Sequence, residues 1–136
     1  MHLLAGIVLS FTGLIPAAIA ETWVEIGADP QAKFYVDVDS IEFAKDNLRV
    51  NKRGVYTRGL TENLGGKATV FNESRGIVEI NCAQRVNRVI RIDMLDSHGE
   101  VVWSSGDMSR QLWLNIKPDS HAESTLEVTC ALNHRS

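Results

Sequence analysis

The chain has few of the features that mark membrane proteins, lipoproteins and disulfide-rich scaffolds. Only two of its 136 residues are cysteine and three are proline. The one long apolar run covers residues 3–14, and no later run approaches the roughly 20 residues that a membrane-spanning helix needs. No cysteine stands where the N-terminal apolar segment ends, so a lipid-attachment signal is missing there. We therefore expect a mature protein with no transmembrane segment and no lipid anchor.

Motifs for catalysis, cofactors and metals are also missing. The sequence contains no glycine-rich phosphate loop, no nucleotide fingerprint and no nucleophile elbow. His98, His121 and His134 are scattered, without the spacing that places two ligands on one metal. We predict no catalytic, cofactor-binding or metal-binding residues, no cofactor and no nucleic-acid partner. A Ser/His/Asp triad assembled in space stays open, because its members need no fixed spacing.

The N-terminus has the features of a secretory signal peptide. The apolar run of residues 3–14 is followed by Ala18-Ile19-Ala20, a small-x-small cleavage pattern. We expect residues 1–20 to be removed and residues 21–136 to form a single domain. The alternative is that residues 3–14 form a core helix.

Export makes a disulfide the expected state of the two cysteines, Cys82 and Cys130. The alternatives are two free thiols or a pair of metal ligands. A bridge over this span is worth about 4 kcal/mol in the chain-entropy model.

Most of the chain alternates apolar and β-branched residues with polar ones, which predicts strands. The centre is a meander of three antiparallel strands in residues 74–103, with a hairpin turn at residues 96–99 in which Gly99 takes a positive φ. The predicted strands are residues 23–26, 33–38, 47–57, 74–82, 85–95 and 101–104, with residues 111–116 either a seventh strand or simply extended.

Three predictions concern the connections between these strands. Asp39 and Ser40 are expected to cap a short helical turn over residues 41–44. Gly54 is expected to mark a β-bulge, since the alternation changes phase there. Residues 58–73, which contain Gly65-Gly66 and no sustained period, are expected to form a long loop.

The C-terminal segment fits two structures. Leu126, Val128, Cys130 and Leu132 alternate as a strand would, whereas Ser120 and Glu123 form a helix capping box. We favour the helix. The predicted fold class is α+β, a single antiparallel sheet of about six strands with a C-terminal helix packed on it and clamped to it by one disulfide.

Charge is distributed unevenly along the chain, although the net value is only −3. Residues 49–91 contain nine basic and three acidic side chains, a sum of +6, while both flanks are acidic. This basic middle is a candidate surface for an anionic partner. Its alternative is an ordinary solvated sheet face balanced by acidic neighbours. The candidate residues are Lys52, Arg53, Arg58, Lys67, Arg88 and Arg91.

The chain resembles the surface-adhesin protein E family of small exported bacterial proteins. The matching motifs, in order, are Tyr35-Val36-Asp37 with Ser40-Ile41, Ser74 leading to Cys82, Gly99-x-Val101-Val102, Trp113-x-x-Ile116-x-Pro118-Asp119-Ser120-x-x-Glu123, and Cys130. The resemblance implies an antiparallel sheet joined to a helix by a disulfide. It also implies binding to host extracellular-matrix or plasma proteins. It identifies no binding residue in this sequence.

One departure from the family affects the expected location. The founding adhesin is held on the outer membrane through a lipid-attachment cysteine, which this chain lacks. We therefore expect export through the inner membrane to the periplasm or the medium, with surface display uncertain.

The leading functional hypothesis is a non-enzymatic exported binding module. The alternatives are a periplasmic envelope-structure protein, a small inhibitor of an envelope hydrolase, or a small hydrolase or metal-dependent enzyme. A pocket holding perturbed His and Asp groups would favour an enzyme, and a flat basic face would favour the binding module.

Overall fold

The computed structural model describes residues 21–133, which form one antiparallel sheet and one helix. The predicted signal peptide and the last three residues, His134 included, lie outside this range. The elements are β1 (Trp23–Ala28), β2 (Ala32–Ala44), β3 (Asn47–Leu64), β4 (Lys67–Asn81), β5 (Val86–Leu95), β6 (Val101–Ser104), β7 (Leu114–Asn115) and α1 (His121–Asn133).

The sheet is a meander whose strand order follows the chain from β1 to β6. Short turns join successive strands, so each strand pairs antiparallel with the one before it. The short β7 pairs with Val86 and Asn87 of β5, at the end away from β6. The predicted turn after β5 is confirmed, since Gly99 has φ +78°.

The core lies between α1 and one face of the sheet. Val50, Val78 and Ile80 alternate along β3 and β4 and are buried, as their spacing predicts. Leu126 and Cys130 of α1 pack against them. Cys130 is bonded to Cys82, just after β4, with 6.0 Å between the two Cα atoms. The predicted fold class and disulfide are confirmed.

The helix begins where the capping box predicts. The Ser120 hydroxyl accepts a hydrogen bond from the Glu123 amide at 3.2 Å. The Glu123 carboxylate in turn accepts one from the amide of Asp119, one residue earlier than in a standard box. Asp119 has φ +57°, which turns the chain sharply into the helix. The helical interpretation of the C-terminal segment is therefore correct.

The prediction of a long loop over residues 58–73 is wrong. These residues are the outer halves of β3 and β4, joined by a two-residue turn at Gly65 and Gly66. Both glycines have positive φ, +61° and +83°, as a tight hairpin turn requires. Residues 58–72, called the hairpin arm below, pair only with each other, because β2 pairs no further than Tyr56 and β5 no further than Glu73.

Two smaller predictions are also wrong. Residues 41–44 belong to β2 and not to a helical turn. Ser40 lies in a break in the β2–β3 register, where its hydroxyl accepts a hydrogen bond from the Asn51 amide and donates one to the Asp37 carbonyl.

Gly54 does not mark a β-bulge: it pairs regularly, and the β3–β4 irregularity begins beyond Val55. A Cβ at position 54 would lie 2.9 Å from the Ser74 hydroxyl and 3.2 Å from the Phe34 ring, so a larger residue there would require its neighbours to shift.

Candidate functional site

The single helix covers one face of the sheet, called the helix face below, and leaves the other, called the open face. Because side chains alternate along a strand, cross-strand partners share a face. Arg53 pairs with Tyr35 on β2 and with Arg75 on β4, which places all three on the open face. The charged and aromatic residues that the register places on the open face are Trp23, Glu25, Lys33, Tyr35, Asp37, Glu42, Arg49, Arg53, Glu73, Arg75, Glu79, Arg88, Arg91 and Asp93.

Glu79 is an almost fully buried charge of the open face. One of its oxygens accepts a hydrogen bond from Arg49 at 2.5 Å, and the other accepts two from Arg88, the shorter at 2.9 Å. Burial alone would raise the pKa of Glu79, but the hydrogen bonds and positive charges of the two arginines outweigh it and hold the pKa below its ordinary value. The carboxylate therefore stays ionised and fixes both guanidinium groups.

Glu73 holds a second pair of arginines. Its carboxylate lies 3.1 Å from Nε of Arg75 and 3.6 Å from Nε of Arg53. Arg91 makes a separate pair with Asp93 at 3.1 Å. Every arginine of the open face thus has a carboxylate partner, and the five arginines are distributed over β3, β4 and β5.

Two arginines of the open face also stack on aromatic rings. The Arg53 guanidinium lies 4.9 Å from the ring centre of Trp23 and 5.0 Å from that of Tyr35. Arg88 lies 4.6 Å from the ring centre of Trp113, in the segment before β7. Such cation–π contacts favour a fixed guanidinium orientation.

The six residues predicted as an anionic-partner surface do not form one cluster. Arg53, Arg88 and Arg91 share the open face. Arg58 and Lys67 lie on the hairpin arm. Lys52 lies apart from both groups, since its cross-strand partners Val36 and Gly76 place it on the helix face.

Sequence reasoning missed Arg49 and Arg75 as members of the open face. Arg49 is an even number of residues before Arg53 on β3, and Arg75 faces Arg53 across the β3–β4 pair. The period of two was therefore a usable signal for Arg49 once Arg53 was chosen. Arg75 could be assigned to the open face only from the β3–β4 register, which the sequence alone did not supply.

The described residues show no metal-type arrangement: among residues 21–133, no three His, Cys, Asp or Glu side chains converge as ligands. His98 lies in the β5–β6 turn, and His121 stacks on Phe34 with 4.1 Å between ring centres. No helix within the same residues is long and apolar enough to span a membrane.

The structure is that of a small module with one antiparallel sheet, one helix on one of its faces and an arginine-bearing open face. The family model for surface-adhesin protein E matches residues 23–131, so the chain belongs to the surface-adhesin protein E family. This membership suggests a non-enzymatic role. No match was found among curated proteins.

Solved structures of protein E from Haemophilus influenzae have the same fold. One has a TM-score of 0.60 at 16% identity and covers 89% of this chain and 92% of its own. A second crystal form has a TM-score of 0.54 at 14% identity and covers 86% of this chain and 99% of its own.

Proposed function

We propose that this protein is an exported, non-enzymatic binding module of the surface-adhesin type. Its partners on this proposal are host matrix or plasma proteins, or sulphated glycans, that present negative charge to the open face. Family membership supports the class. The arrangement of arginines on the open face supports the partner chemistry.

The proposal rests on the exposure of Arg75 and Arg91 and on the hydrogen-bond donors that they leave unused. Their side chains are 43% and 48% exposed, the most of the five paired arginines on the open face. Within residues 21–133, each uses only its Nε–H, Arg75 on Glu73 and Arg91 on Asp93. The terminal nitrogens of both guanidiniums are therefore available to a carboxylate or sulphate, for which arginine has a well-matched geometry.

The surroundings of these two arginines suit a protein interface. Arg53 with Trp23 and Tyr35, and Arg88 with Trp113, bring together the residue types that dominate binding energy in interfaces. Their orientations are fixed by carboxylates and rings before a partner arrives, which reduces the entropy lost on binding.

Binding to immobilised heparin and to a panel of purified matrix and plasma proteins tests the proposal. Replacing Arg75 and Arg91 together by Gln should weaken binding at least tenfold. A matched double change, Arg110→Gln with Lys117→Gln, removes the same charge elsewhere and should leave binding nearly unchanged. Raised salt should weaken binding to the parent protein, since screening reduces exposed charge interactions.

The hairpin arm provides a second comparison on the same panel. Arg58→Gln with Lys67→Gln tests the other predicted basic residues. If only this double variant loses binding, the binding surface lies on the hairpin arm and not on the open face. If no partner binds, or if neither salt nor any of the three double changes alters binding, the better hypothesis is a periplasmic envelope-structure protein or a small inhibitor of an envelope hydrolase.

Export is part of the proposal. The N-terminus of the protein recovered from the periplasm or medium of its host should be Glu21, as cleavage after Ala20 predicts. Recovery of an uncleaved chain from the cytoplasm would contradict export.

A further inference from the structure

A pocket of about 370 Å³ lies on the helix face, on the opposite side of the sheet from the arginines. Its size falls in the range of small-molecule sites. It extends over β2 to β5 beside the first turn of α1, where His121 borders it. Most of its wall is apolar, formed by Phe34, Val78, Val89, Ile92 and Met94.

The pocket exists because two glycines stand where the core would need side chains. Further along the same face, Val50 and Val78 are cross-strand partners, and α1 packs over both side chains. At the next two pairs, Gly76 faces Lys52 and Gly54 faces Ser74. A Cβ at Gly54 would lie 2.9 Å from the Ser74 hydroxyl, whereas one at Gly76 would come no closer than 3.4 Å to any neighbour.

Lys52 lies on this apolar surface without a partner. Among residues 21–133 its ammonium makes no hydrogen bond and no ion pair. No Asp or Glu lines the pocket, and Arg53 and Arg75, which border it, direct their guanidiniums to Glu73 on the open face. Burial removes water from the Lys52 ammonium and lowers its pKa, because no carboxylate replaces the lost solvation. An anion beside the ammonium would restore that stabilisation of the charge.

Two hydroxyl groups accompany the ammonium. Tyr56 and Ser74 both line the pocket, and their oxygens lie 3.4 Å apart in a single hydrogen bond in which one hydroxyl donates to the other. Tyr56 also makes an edge-to-face contact with the buried Phe71, which orients its ring. The ammonium and the one hydroxyl hydrogen left free by the Tyr56–Ser74 bond, in a largely apolar cavity, complement a single carboxylate attached to a hydrocarbon body.

We propose that this pocket is a binding site for a hydrophobic monocarboxylate such as a medium-chain fatty acid. The ligand carboxylate pairs with the Lys52 ammonium, and its hydrocarbon body lies against Val78, Val89 and Ile92. The site is independent of the proposed partner surface, because the two occupy opposite faces of the sheet.

Titration of the oxidised protein with decanoate below its micellar concentration tests the site, by calorimetry and by amide chemical shifts. Decanoate should bind with shifts centred on the pocket. Decan-1-ol, which lacks the charge, should bind at least tenfold more weakly, and decyltrimethylammonium should not bind. 4-Phenylbutyrate in place of decanoate shows whether the site prefers an aromatic or an aliphatic body.

Variants separate the charge from the cavity. Lys52→Met should weaken decanoate at least tenfold and leave decan-1-ol unchanged. Lys33→Gln, a change to an exposed lysine of β2, should alter neither. Gly76→Leu should fill the pocket and weaken both ligands, with folding checked by circular dichroism.

Three outcomes would overturn the site. They are absence of decanoate binding, binding that appears only with micelles, and equal decanoate affinity in the parent protein and Lys52→Met. None of the pocket variants alters an open-face arginine. A negative result at the pocket would therefore not count against the proposed partner surface.

Discussion

At the scale of single residues, Glu79 holds two arginines of the open face, Arg49 and Arg88, in fixed orientations. Its side chain is 4% exposed, yet it carries a charge that two arginines neutralise. Arg88 stacks at the same time on Trp113, so this carboxylate also fixes the contact between β5 and the segment before β7. A buried carboxylate of this kind is tolerated only while its partners are in place.

Glu79→Gln should lower the free energy of unfolding by about 2 kcal/mol at pH 7, because both arginines lose an ionised partner. The folded-state pKa of Glu79 lies below its ordinary value of 4.5, so the stabilisation is present above about that pH and is lost as the pH falls through the folded-state pKa. Urea unfolding at pH 7 and at about pH 3 should show the difference between the two proteins shrinking in acid. Glu62→Gln, at an exposed position on the hairpin arm, is the matched control and should change stability little. Equal stability of Glu79→Gln and the parent at pH 7 would contradict this account.

Neighbouring residues show the limit of charge counting along a sequence. Lys52 and Arg53 belong to the same basic segment, but the period of two in a strand sends one to each face. The sum of +6 over residues 49–91 marked a basic segment, and the alternative of acidic neighbours describes how its open-face arginines are paired. It could not show that each arginine has an acid beside it, since those acids come from register between strands.

At the scale of elements, the predicted and observed structures differ most in the hairpin arm. Gly65-Gly66 is a strong two-residue turn signal, but residues 56–59 interrupt the alternation of β3 before it. Val55 and Leu60 pair with Glu73 and Phe71, so four residues of β3 stand opposite one of β4. This irregularity hid the strand from a search for strict alternation. The meander, the last helix and the disulfide were predictable because each has a local or compositional signal.

Gly65→Val should destabilise the arm, whereas Gly65→Asn should be tolerated. Both positions of the turn have positive φ, which a β-branched residue avoids and which asparagine accepts. Since the arm pairs only with itself, amides of residues 60–71 should exchange about tenfold faster in Gly65→Val, a cost of about 1.4 kcal/mol. Amides near Val50 and Val78 should keep the parent rate. Identical exchange in the two variants would show that the turn does not limit the arm.

At the scale of the whole molecule, one helix packs on a sheet of seven strands. Leu126 and Cys130 supply its buried apolar contacts to the core, together with the partly buried Ala122. Thr125 and Thr129 are also fully buried but add polar atoms, so the helix offers little apolar area for its length. Its attachment therefore depends on the bond to Cys82 more than that of a fully apolar helix would.

Replacing Cys82 and Cys130 together by Ala should lower the free energy of unfolding by about 4 kcal/mol. The bridge closes a loop with a sequence separation of 48, and its loss frees the unfolded chain. Urea unfolding followed by tryptophan fluorescence and by circular dichroism measures the change, and the two signals should coincide if residues 21–133 unfold as one unit. A reductant should weaken the parent protein by a similar amount and leave the double variant unaffected, which separates the bond from other effects of the reagent. If the variant matched the oxidised parent, noncovalent packing alone would be holding the helix on the sheet.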